Sequence, residues 1–250
     1  MTPFGAVGKP DYTALELPPP PSDRPHVVMN MVMSADGKSV IEGTERGIGS
    51  ATDQRLMREL RVHADVVLNG AGTLRASGTS SRLGDAALEA MRVEHGKPAA
   101  PIAAVMSRSG NLPLERPFFT ARDFPAIVYL SEELSQARRD EIAAAGRPVV
   151  ALATEDEFPG MLRHMRHELD ASVLLVEGGP KINAALYAID AIDEFFLTLG
   201  PVVVGGEDTL TAVEGKRAFT LAEVKRLELL SAYPNPETSE VYVRYRVRRD

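Results

Sequence analysis

The sequence contains no cysteine. Disulfides, thiolate zinc sites, iron–sulfur clusters and thiol nucleophiles are thereby excluded. Nothing in it demands an oxidising compartment, which points to the cytoplasm. Positive charge is scarce as well: 28 Lys and Arg against 35 Asp and Glu give a net charge of −7. Wrapping nucleic acid takes a basic face, so that partner class is not expected, whereas a small basic pocket for one phosphorylated ligand is allowed. Long apolar runs are missing. Stretches such as VLLV at 173–176 fall far short of the ~20 residues of a membrane span. Residues 1–25 lack a signal peptide's apolar core and carry a proline tract at 18–21, so an extended strap or loose tail is expected there. Neither a GxSxG elbow nor a Walker A loop occurs, which leaves hydrolase and P-loop chemistry without their signatures. His164 and His167 stand three apart with Glu168 beside them, but no third ligand is evident and no metal is expected.

What is present suits a globular domain. The 250 residues are 44% hydrophobic and 25% charged, ordinary values that exclude global disorder. Short apolar runs rich in β-branched residues at 27–33, 65–69, 102–106, 126–130, 149–152, 172–177 and 194–199 read as strands. Helical patterns are read after Ser50, where Leu56, Leu60 and Ala64 recur every four residues, and at 86–95 and 132–145, the last stopped by Gly146. A capping box at 154–157 opens another helix to about Glu168, and Ile182, Leu186 and Ile189 mark one face of a further helix. Between the second strand and residue 86, a glycine-bearing loop is expected. Alternation at 227–232 and 241–247 predicts a β-hairpin turning across Pro234-Asn235-Pro236, with Val241, Val243, Tyr245 and Val247 on one face. Continuous apolar strands alternating with helices imply an α/β fold whose sheet is mostly parallel, with an antiparallel hairpin at the end.

Two strand–glycine–helix junctions stand out: Asn69-Gly70-Ala71-Gly72-Thr73 and Glu177-Gly178-Gly179-Pro180. Ligands of open α/β sheets bind beyond the C-terminal strand ends. Glycine there lets backbone N–H groups approach a phosphate, and a helix N-terminus adds unpaired donors. The alternative is a pair of ordinary turns, and Arg75 stands where the third glycine of a Rossmann fingerprint belongs. Ser107-Arg108-Ser109 follows the 102–106 strand without an acidic residue, a composition that favours the extra phosphate of NADP over the free ribose of NAD, or else forms a solvated loop.

These motifs together resemble the riboflavin-biosynthesis pyrimidine reductases, the reductase domain of the bifunctional deaminase/reductase and its stand-alone relatives. Met33-Ser34-Ala35-Asp36-Gly37-Lys38 is similar to their SLDG(K/R) turn. Leu60-Arg61, Ala64-Asp65 and Gly70-Ala71-Gly72-Thr73 resemble LR…AD…GAGT. Val176-Glu177-Gly178-Gly179-Pro180 with Asn183, then Asp193-Glu194 and the 200–206 stretch, look like their EGGPxxN…DE…GG end. The likeness runs from about Arg24 to the C-terminus, which sets 1–25 apart as an N-terminal extension and 26–250 as a single reductase domain.

The resemblance implies a dihydrofolate-reductase-like three-layer αβα fold, NADPH, a homodimer and reduction of a 5-amino-6-(5-phosphoribosylamino)pyrimidine to its ribitylamino form. It implies cofactor contacts from Met33, Ser34, Gly70, Ala71, Gly72, Thr73, Ser77, Ser107, Arg108, Gly178, Gly179, Pro180, Lys181, Ile182 and Asn183. It places Arg61 on the substrate's phosphate and Glu177 facing the substrate. Arg61 is otherwise a helix-end cation, and Glu177 a salt-bridge or cap residue. Glu177 and Asp36 are the acidic candidates for catalysis, unless Asp36 only shapes its turn. The family's acidic pair after GAGT is replaced here by Ser77 and Gly78. A reductase of a pterin or dihydrofolate-like heterocycle, or a non-catalytic NADP-binding regulator, are the alternatives.

Overall fold

The computed structural model describes residues 7–78 and 80–249. In chain order the elements are β1 (His26–Ser34), α1 (Ala51–Leu60), β2 (Val66–Gly70), α2 (Ala71–Ser77), α3 (Ala86–Glu94) and β3 (Ile102–Ser107). There follow α4 (Pro117–Thr120), β4 (Ala126–Ser131), α5 (Gln136–Ala144), β5 (Val149–Leu152) and α6 (Glu157–His167). The chain ends with β6 (Val173–Val176), α7 (Pro180–Ala188), β7 (Glu194–Gly200), β8 (Leu227–Asn235) and β9 (Glu240–Val247). The residues group into two compact units. The first holds Met1–Glu16, Val27–Leu60 and Pro180–Asp250; the second holds Leu17–His26 and Arg61–Gly179.

In the second unit the strands run β5-β4-β3-β2-β6, every pair parallel. β2 and β4 are buried at every position, as expected of parallel strands covered on both faces. One core cluster packs Val105, Val128 and Leu130 against Phe118, Phe119 and Ile142. Arg92, 1% exposed, ties down the start of this unit's Arg61–Gly179 segment: its guanidinium donates to the carbonyls of Arg61, Val62, Ala64 and Pro98. In the first unit β1 and β7 are parallel, and β7, β9 and β8 continue antiparallel. No described helix is long and apolar enough to cross a membrane.

Several local expectations change in the structure. The glycine-bearing loop after β2 begins as helix α2, because Leu74 is fully buried and anchors two turns that Gly78, in the left-handed region at φ 68°, terminates. Helix α5 starts only at Gln136, where the Ser135 hydroxyl accepts from Arg138 N at 3.3 Å. No capping box forms at 154–157; those residues make a 3₁₀ turn into α6, and the Glu157 carboxylate is drawn to Arg108 instead. Ile189 lies past the end of α7 and is exposed. The hairpin keeps Pro234 and Asn235 in strand β8 and turns at 236–239.

The 241–247 alternation also needs correction. Val243 and Val247 are buried, but so is Tyr242 on the opposite face, whose hydroxyl donates to Glu240 Oε2 at 2.5 Å. Arg244 on that face forks onto buried Glu194, at 2.6 and 3.0 Å. The N-terminal strap is docked where it is described. Tyr12 meets the Phe196 ring edge-on at 5.0 Å and its N–H donates to Glu59, while Gly8 N donates to Pro234 O.

Candidate active site

In the second unit, parallel pairing of β2 with β6 sets Leu68 opposite Val176. The two glycine turns therefore leave the sheet side by side. Gly70 N donates to Gly178 O at 2.9 Å, and Glu177 N to Leu68 O at 3.0 Å. The Gly178–Gly179 peptide is cis, and Gly178 has φ +97°, a region glycine enters freely. A Cβ on Gly179 would stand 3.4 Å from Thr73 Oγ1. Gly70, Ala71, Gly72 and Thr73 are thus brought against Gly178 and Gly179. Gly70 caps α2 without a side chain, which leaves the first-turn amides to other acceptors. Ser77 sits on the last turn of α2, exposed, and returns its hydroxyl to Thr73 O at 3.1 Å.

Ser107 and Arg108 close β3, whose Met106 lies opposite Gly70. Ser107 is buried, and its hydroxyl has no partner among the described residues. Arg108 is exposed; its Nε donates to Glu157 Oε2 and its guanidinium lies 5.8 Å over the Phe158 ring. Glu157 is buried, with its other carboxylate oxygen unpartnered among the described residues. Nothing along the chain assigns Glu157 to this site. A helix-cap pattern claimed it, and only the adjacency of β3, β4 and β5 brings the start of α6 to Arg108.

Arg61 and Glu177 meet directly. Arg61 Nε and Nη2 each donate to one Glu177 oxygen at 2.7 Å, and Nη1 donates to Arg82 O at 2.6 Å. The two side chains are 9% and 8% exposed. Every guanidinium nitrogen is engaged, so Arg61 does not offer the open fork expected for a substrate phosphate. Glu177 likewise turns toward Arg61, as in its salt-bridge alternative.

In the first unit, Ser34 ends β1 and donates to Asp36 Oδ1 at 2.5 Å, while Lys38 N donates to Ser34 Oγ. Asp36 also accepts from Val204 N at 3.1 Å and Gly205 N at 2.6 Å. These donors, the Ser34 hydroxyl first, hold its carboxyl down at about 2. Asp36 is therefore ionised at neutral pH and shapes its turn; it does not carry a proton to give. Met33 is half-buried beside Leu199. Pro180 opens α7 and its carbonyl accepts from Glu214 N. Lys181 is exposed and Ile182 buried. Asn183 is fully buried, donating to Ala212 O at 2.8 Å, with Oδ1 unpartnered among the described residues.

The second unit fits one end of a phosphorylated dinucleotide. It offers a Ser107 hydroxyl with no partner among the described residues, an exposed arginine beside it, and two adjacent glycine turns. Among the described residues, no group of three or more His, Asp or Glu is placed to hold a metal ion.

The chain is similar over most of its length to proteins named as reductases. It is 27% identical over 227 residues to the 2,5-diamino-6-ribosylamino-4(3H)-pyrimidinone 5′-phosphate reductase of Methanothermobacter thermautotrophicus, covering 90% of this chain and 99% of the relative. The reductase of the same name from Archaeoglobus fulgidus is 26% identical, covering 82% and 93%. A pyrimidine reductase-like protein from Corynebacterium diphtheriae shares the fold, with TM-score 0.79 at 20% identity over 99% and 98% of the two chains. Residues 25–233 match the family model described as the RibD C-terminal domain. With this match over most of its length, the chain belongs to the RibD C-terminal domain family.

Proposed function

We propose that the chain is an NADPH-dependent reductase of riboflavin biosynthesis that converts the ribosylamino group of a 5-amino-6-(5-phosphoribosylamino)pyrimidine to ribitylamino. The match over more than four fifths of the chain to reductases named for 2,5-diamino-6-ribosylamino-4(3H)-pyrimidinone 5′-phosphate carries this reading. It makes that diamino-pyrimidinone the first substrate to test, ahead of the 5-amino-uracil analogue.

NADPH, when bound, supplies the hydride, directed to C1′ of the opened sugar. The chain's own work is to bind and orient. Gly70–Thr73 and Gly178–Gly179 would bring backbone N–H groups to the cofactor's phosphates. Ser107 and Arg108 would take its ribose phosphate. The Arg61–Glu177 pair would fix the strand end from which the second glycine turn leaves. The reading extends to 26–250 as one reductase domain, a cytoplasmic location and a homodimer. The dimer is supported by strand β8, an edge of the first unit's sheet with exposed Leu227 and Leu229; a monomer in sedimentation at micromolar concentration would oppose it.

The test follows NADPH absorbance with both phosphoribosylamino-pyrimidines and with dihydrofolate. Oxidation with a pyrimidine and none with dihydrofolate supports the reading. Turnover only with dihydrofolate, or binding without any turnover, overturns it in favour of a pterin-type reductase or a regulator.

A further inference from the structure

Arg108 is the exposed cation beside Ser107, but it is not an isolated one. Its Nε is held by Glu157, whose side chain is 2% exposed while that of Arg108 is 62% exposed. Glu157 Oε1 and Ser107 Oγ are buried without a partner among the described residues. The guanidinium lies over Phe158, the residue after Glu157. The sequence around β3 therefore reads as purely basic and hydroxylic, while the folded site contains a carboxylate that neutralises the arginine.

Two consequences of this pair oppose each other. Glu157 orients Arg108, which helps any anion by sparing the ordering of a long side chain. Glu157 also holds a negative charge against the same guanidinium that would grip a phosphate. A phosphate carrying more than one charge is repelled by that carboxylate, which is itself buried and so poorly screened. A ribose hydroxyl is neutral and meets no such repulsion.

We infer that Glu157 is a specificity-determining residue, limiting this chain's preference for a 2′-phosphorylated adenine nucleotide over its 2′-hydroxyl counterpart. This rests on the dinucleotide reading of the site given above. Arg108 supplies the attraction for the phosphate, and Glu157 sets how large the resulting discrimination becomes.

The probes are adenosine 2′,5′-bisphosphate and adenosine 5′-monophosphate, with NADPH and NADH as the full cofactors, their affinities measured by calorimetry at pH 8. Glu157→Gln keeps an oxygen for Arg108 Nε but removes the charge. The expected result is a tenfold or larger gain in the ratio of bisphosphate to monophosphate affinity, repeated for NADPH against NADH. An unchanged or smaller ratio overturns the inference. Because Glu157 is buried, Arg108→Met, altered at an exposed side chain, provides a second reading. With the carboxylate left unneutralised, the monophosphate should bind more tightly than the bisphosphate, and equal affinities would overturn the inference. Failure of the unaltered protein to bind any of the four nucleotides defeats the dinucleotide reading itself, and this inference with it.

Discussion

Arg61 and Glu177, 116 positions apart, form a two-pronged ion pair at 2.7 Å on both prongs, with both side chains largely shut off from water. Removing one partner of such a pair leaves a buried charge uncompensated, at a cost of about 3–5 kcal/mol. Glu177→Ala should therefore lower the thermal midpoint by roughly 6–20 °C, at ~2–4 °C per kcal/mol for a chain of this size. Arg61→Met combined with Glu177→Leu should lose less than the two single changes added together. Additive losses in urea denaturation would show that the two do not act as a pair. Glu177→Gln should retain NADPH binding; loss of that binding would place the carboxylate on the cofactor.

The cofactor site makes a separable prediction. Losing one charge-assisted phosphate contact costs about 1.5–3 kcal/mol, so Arg108→Ala should weaken NADPH about tenfold or more and leave NADH nearly unchanged. Gly179→Val should weaken both nucleotides, because its branch would stand against Thr73 and the space a phosphate needs. Fluorescence titration of each variant with each nucleotide decides between these patterns.

Asp53 carries a pH signature. Burial raises its carboxyl to about 6, with the Glu240 charge adding to the rise and the Thr198 hydrogen bond opposing it. A raised acid binds more protons folded than unfolded, so its contribution favours the fold below about pH 4 and is lost as pH climbs from there through about 6. Asp53→Asn should flatten that decline and make the protein more stable at pH 7–8. Stability profiles that superimpose for the two proteins between pH 4 and 8 would count against it.

Asp36 behaves in the opposite sense. Its depressed carboxyl supports the fold above about pH 4, and that support fades as pH falls through about 2. Asp36→Asn should loosen the amides of Val204 and Gly205 toward hydrogen exchange at neutral pH. Unchanged protection of those two amides would show that Asp36 is not their anchor.

At Gly200, a Cβ would overlap the carbonyl oxygen of Ile48. The obstacle is backbone, so it cannot swing aside as a side-chain tip could. Gly200→Ala should destabilise by about 1–3 kcal/mol, the usual range for overpacking. A midpoint in urea within error of the unaltered protein would contradict this.

Much of the fold was legible along the chain. Strand β2 and strand β4 declare themselves because parallel strands covered on both faces need unbroken apolar runs, and Gly146 marks a helix end because a left-handed turn favours glycine. The two glycine turns were visible for the same local reason. Helix α2 was not, since its stability comes from burying Leu74 rather than from propensity in a seven-residue segment with glycine at its second position. Neither the Arg61–Glu177 pair nor the Arg108–Glu157 pair could be read from spacing, because the partners lie 116 and 49 residues apart and meet only through strand order. Sequence determined which segments become strands and where glycine must stand. Tertiary structure alone decided which charges face each other, since an ion pair depends on distances in space that no local pattern encodes.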